Sequence, residues 1–147
     1  MKKPTNWKRG FTLIEVLVVL VILMGLMGIV TVNVVRHQSE ARVKTARIQI
    51  RQLQQAVNLY RAEQGRIPTQ EQGLEALVRP PAIPPVPTRY PQEGYLEGRR
   101  VPKDPWGNDF LYLVPGRDGS VFEIVSTGSD GELEGTGDAA DLSTADF

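Results

Sequence analysis

The sequence has no cysteine and one histidine, His37, in 147 residues. Without cysteine there is no disulfide framework and no thiolate metal site, so stability outside the cytoplasm must come from packing or from an oxygen-ligated metal. His37 has no serine or cysteine nucleophile that can be paired with it convincingly, which leaves little basis for acyl-transfer chemistry. Basic residues are also missing from one end. From Asp118 onward there are the acids Asp118, Glu123, Asp130, Glu132, Glu134, Asp138, Asp141 and Asp146 and no lysine, arginine or histidine. No basic face is left there to meet phosphates, which argues against nucleic acid as a partner. Convincing small-residue cleavage signals are absent after the apolar run, where a secretory signal would carry them; Arg36-His37-Gln38 follows instead.

What is present is concentrated at the N-terminus. Residues 16–30 contain no polar side chain, and the run from Phe11 to Val35 is about long enough to cross a bilayer. Lys2, Lys3, Lys8 and Arg9 precede it, so the positive-inside rule places the N-terminus in the cytoplasm and the remainder outside. Residues 1–10 hold those four bases and no acid, so their removal takes the formal net charge from 0 to −4. Glu15 breaks the apolar run near its start. A carboxylate there is costly enough to mark a function with a partner nearby.

The helical pattern continues past the apolar run. Val43, Ala46, Ile50, Leu53, Val57 and Tyr60 alternate spacings of three and four, an amphipathic stripe, with Arg42, Gln49, Gln52, Gln55 and Arg61 on the opposite face. Gly65 and Pro68 end it. One helix from near Phe11 to Gln64 is expected, about 80 Å long at 1.5 Å per residue. A second helix is expected over Gln72–Val78, starting near Thr69. The proline run 80–91 reads as a loop wrapping the head rather than a polyproline ligand. Two β-rich runs, 110–114 and 121–125 around a glycine-containing turn, predict a hairpin entered through Asp104-Pro105-Trp106-Gly107-Asn108. Trp106 is expected to be a core anchor or turn staple rather than a binding aromatic. The fold class is therefore α+β: a long N-terminal helix on a small head with a short antiparallel sheet.

In the acidic segment, counting Asp130 as position one places acids at 1, 3, 5, 9 and 12 (Asp130, Glu132, Glu134, Asp138, Asp141) and Gly135 at 6. This is the ligand register of an EF-hand loop, but the flanking helices are missing. The chemistry that remains is an oxygen-rich loop suited to a hard cation. Spacing alone fits a solvated acidic tail equally well.

Arg9-Gly10-Phe11-Thr12-Leu13-Ile14-Glu15-Val16 resembles the type IV prepilin motif. The stretches Thr69–Leu77, Gly94-Tyr95-Leu96 and Asp104–Asn108 with Tyr112 are similar to the major pseudopilins of type II secretion. The resemblance implies cleavage after Gly10 by a prepilin peptidase, N-methylation of Phe11 by the same enzyme, and Glu15 as the assembly carboxylate. Residues 1–10 would be the leader, 11–35 the transmembrane and filament-core helix, and 36–147 the periplasmic head. Cleavage would create an ammonium on Phe11 whose charge Glu15, of the same or a neighbouring subunit, partly neutralises in low dielectric.

The family further implies calcium in the C-terminal loop. Asp130 and Asp141 match its acids, Glu132 and Asp138 lie between them, and the backbone oxygen of Thr127 contributes. Two departures stand out: Leu142-Ser143-Thr144 replaces a usual tryptophan, and Val32 stands where relatives carry proline. The implied protein is not an enzyme. It is an inner-membrane, single-pass subunit that polymerises with itself, meets minor pseudopilins and an inner-membrane assembly platform, and drives export through the outer membrane. The alternatives are a type IV pilus subunit and, from another class, a membrane-anchored calcium-dependent enzyme or binding protein.

Overall fold

The computed structural model describes residues 10–136 and 139–146, the side chains of residues 26–37 excepted. The chain divides into two compact units, Met1–Gln38 and Ser39–Phe147.

Helix α1 spans Leu13–Gln64. Thr12 caps its start: the Glu15 amide donates to the Thr12 carbonyl at 3.1 Å and to Thr12 Oγ1 at 3.3 Å. In the first unit Leu13, Val16, Leu20 and Leu23 are all exposed, as are the apolar residues between them, so this stretch is apolar around its whole circumference. Among the described residues no helix is long and apolar enough to cross a membrane. The run expected to do so extends into residues 26–37, whose side chains fall outside the description, as does that of Val32.

In the second unit the helix turns one face inward. Ala46, Ile50, Leu53, Val57 and Tyr60 are completely buried, and Val43 packs at the edge of the same cluster. The predicted stripe, joined by Ala56, faces the core, and full burial of Ile50, Leu53 and Val57 contributes on the order of 1.5–3 kcal/mol each. The helix ends as expected, with the Gly65 amide donating to the Arg61 carbonyl at 2.9 Å.

The expected second helix is shorter than its sequence suggested. A turn occupies Thr69–Gly73 and a single 3-10 turn covers Leu74–Leu77. Gly73 has φ +58 and ψ −166, a conformation outside any helix, so a helix cannot propagate through it. Thr69 and Gln72 instead bond each other's amides reciprocally, at 3.1 and 3.2 Å.

The proline run does wrap the head. Prolines supply no N–H, so its contacts are made through carbonyls that side chains address. The Gln72 amide donates to Ile83 and Pro85 carbonyls at 2.7 and 3.1 Å, Arg66 donates to Pro85, and the Tyr90 hydroxyl donates to the Ala76 carbonyl.

The sheet is antiparallel, in the order β1 (Leu111–Leu113), β2 (Glu123–Ser126), β3 (Leu142–Ser143). Tyr112 pairs with Ile124 and Ser126 with Leu142. The predicted hairpin is present, but its second strand starts at Glu123 rather than Val121. The Ser120 hydroxyl donates to the Phe122 carbonyl and holds residues 120–122 in the connecting loop. The strand β3 was not expected: two residues are too short to show alternation. Trp106 is half-buried against the core, as its turn position suggested.

Candidate functional site

Two regions carry the residues singled out by sequence, one in each unit. In the first, Gly10, Phe11 and Thr12 precede the helix, and Gly10 has no atom within 4 Å of where a Cβ would stand. Phe11 is 78% exposed. The Gly10–Phe11 peptide bond is thus open and non-helical, as a protease needs. Glu15 lies in the first turn of α1, where the helix dipole favours a carboxylate. Thr12 and Glu15 also have capping-box spacing, a local role that sequence inspection passed over although Thr-x-x-Glu signals it. Lys8 and Arg9 lie outside the described residues.

In the second unit β2 delivers Thr127, buried, to the base of the acidic loop, and β3 begins just after Asp141. Gly128 has φ +63, and a Cβ on it would lie 2.8 Å from the Ala139 carbonyl oxygen, so only glycine lets the two ends of the loop approach this closely. Asn108 donates to the Gly128 carbonyl at 2.8 Å, tying the loop to the Asp104–Asn108 turn. That turn is built around the buried Asp104, which accepts from the amides of Trp106 and Asn108 and, at 2.7 Å, from the Ser126 hydroxyl.

The loop acids are not equivalent. Asp130 Oδ1 accepts from the Glu132 amide at 3.2 Å, a local turn, and both residues are exposed. Asp141 Oδ2 accepts from the Glu134 amide at 3.0 Å and lies 3.7 Å from an Arg117 guanidinium nitrogen. Asp141 Oδ1 is buried and has no hydrogen-bond partner. Among the described residues no three acids converge into a metal-binding group, and Asp138 lies outside them. One point of the donor set is compatible with a hard cation: the buried Asp141 Oδ1 has no hydrogen-bond partner, and a carboxylate oxygen is the kind of donor such an ion takes.

Sequence reasoning missed Arg117 and Glu123. Three guanidinium contacts within 3.2 Å and an amide contact at 2.8 Å join Arg117 to the Glu123 carboxylate, whose side chain is 3% exposed. Those bonds hold the Glu123 carboxyl below its ordinary pKa against the opposing effect of burial. The available signal was position, since Arg117 is the last base before the all-acidic segment.

The chain is similar to known proteins along nearly all its length. Residues 8–31 match the family model described as the prokaryotic N-terminal methylation motif, and residues 33–145 match that of type II secretion system protein G. The type II secretion system core protein G of Vibrio cholerae is 42% identical over 142 residues, covering 97% of this chain and 92% of that one. The protein of the same name from Escherichia coli K12 is 40% identical, covering 89% of this chain and 88% of its own. A solved structure, the major pseudopilin from the type 2 secretion system of enterohaemorrhagic Escherichia coli, superposes with a TM-score of 0.66 at 36% identity, covering 78% of this chain and 96% of that one. These likenesses favour secretion over the type IV pilus alternative. This chain belongs to the type II secretion protein G family, the major pseudopilins.

Proposed function

We propose that the chain is cut after Gly10, methylated on the new Phe11 amine, held in the inner membrane by its apolar helix with the head in the periplasm, and polymerised into the pseudopilus. The observation that carries this is the first unit. A capped helix there exposes apolar side chains on every side and carries one acid, Glu15. Such a surface is stable only in lipid or among copies of itself. Lipid holds the subunit before assembly, and neighbouring helices replace it in the filament. Growth of the filament then moves secreted proteins toward the outer membrane, with minor pseudopilins and an inner-membrane platform as partners. The role is structural, with no catalysis.

Glu15 supplies register. The Phe11 ammonium exists only after cleavage, and an incoming subunit that places it against Glu15 of its neighbour neutralises both charges in a medium of low dielectric. Glu15→Ala is expected to insert and be processed but to form no filaments in an assembly assay. Normal filaments from this variant contradict the pairing.

Calcium belongs to the same proposal. Asp141 and Asp130, with the Thr127 carbonyl and Glu132 and Asp138 as further oxygen donors, would hold it. Calcium when bound supplies charge compensation to a loop that has little core of its own. Chelation is expected to lower the melting temperature of the head, and an unchanged melting temperature contradicts the metal assignment.

A further inference from the structure

Arg117 is a basic residue placed against the acidic loop. Its guanidinium lies between two carboxylates: Glu123, bonded at 2.8 Å, and Asp141 Oδ2, at 3.7 Å. The Glu123 hydrogen bonds chiefly, and the Asp141 and Glu134 charges to a lesser extent, stabilise the charged form of Arg117, which thus faces the loop as well as β2. The Arg117 side chain is only 43% exposed and is fixed through its own backbone amide, which also donates to Glu123. It is therefore a positioned charge rather than a freely moving one. The other oxygen of Asp141 is buried and has no hydrogen-bond partner.

We propose that Arg117 is a built-in competitor of the loop cation: it neutralises Asp141 when no metal is bound and thereby sets calcium affinity below what the acids alone would give. The inference rests on the calcium reading above and names the residue that tunes it. The physical reason is charge. A divalent ion held by Asp141 would share that carboxylate with the Arg117 guanidinium, and the repulsion between the two cations would oppose binding. Glu123 offsets part of that repulsion, because it accepts most of the guanidinium's hydrogen bonds. Removing the Arg117 charge and removing the Glu123 charge therefore have opposite effects on the metal. A purely structural role for the pair predicts loosening of the loop, and weaker binding, in both cases.

The test is a calorimetric calcium titration of the full chain in detergent micelles after chelator dialysis, with Arg117→Gln and Glu123→Gln beside the unaltered protein. Both substitutions retain a hydrogen-bonding amide. Arg117→Gln is expected to bind calcium about threefold to tenfold more tightly, and Glu123→Gln about twofold to fivefold more weakly, as one charge at these separations changes affinity. Without metal, Arg117→Gln is expected to melt at a lower temperature than the unaltered protein. If either variant fails to fold, the sign of the other's shift decides. Equal affinities, or weaker binding by Arg117→Gln, overturn the competitor role while leaving calcium in place. Absence of calcium binding by the unaltered protein overturns the metal reading itself.

Discussion

Single side chains in the head separate interactions that contribute to stability from groups that are merely tolerated. Tyr60 is completely buried and its hydroxyl has no partner, whereas the equally core-facing Tyr112 donates its hydroxyl to the buried Pro68 carbonyl at 3.0 Å. The same substitution thus has different consequences. Tyr112→Phe is expected to destabilise by about 1–2 kcal/mol, and Tyr60→Phe to leave stability unchanged or raise it by up to about 1 kcal/mol. Urea denaturation of the two variants checks this; equal losses contradict it. Glu123 gives the head a pH dependence. Its carboxyl pKa is lowered by Arg117, so its contribution is complete above the unfolded carboxylate value of about 4.3 and is lost as pH falls through the lower folded value. Glu123→Gln is expected to flatten acid unfolding below about pH 4. These pairings join residues of different elements, such as Tyr112 to Pro68, and no local pattern in the sequence announces them.

Elements were legible in proportion to their length. The amphipathic half of α1 could be read residue by residue, because period and burial agree from Ala46 to Tyr60. The stretch Gln72–Val78 looked helical by composition, and Gly73 overrode that through a single dihedral. The strand β3 could not be read at all, since its two residues are selected by pairing with β2. The Asp104–Asn108 turn was recognised as a turn, but not as the support on which the acidic loop stands. Asp104 joins it to β2 through Ser126, and Asn108 joins it to Gly128. Asp104→Ala removes three acceptor contacts at a buried position and is expected to cost about 2–4 kcal/mol. It is also expected to reduce amide-exchange protection over residues 126–130. A loss confined to residues 104–108 contradicts the supporting role.

At the scale of the whole molecule, the motif around Glu15 and the head do different work on one chain. The first unit exposes the apolar surface that we propose meets lipid and then copies of itself, and the second has its own core. The N-terminal motif was the most legible part of the sequence, because glycine, phenylalanine and glutamate stand in a fixed order before an apolar run. The acidic loop was the least legible, because acidic spacing describes a cation site and a solvated tail alike; the unpartnered oxygen of Asp141 is the observation on which the proposed cation site rests. The central claim is that Glu15 acts with an amine that exists only after cleavage at Gly10. The most direct test is the mass and N-terminal sequence of the protein recovered from cell membranes. The account predicts a chain beginning at an N-methylated Phe11, and a mature protein still carrying Met1 would contradict it.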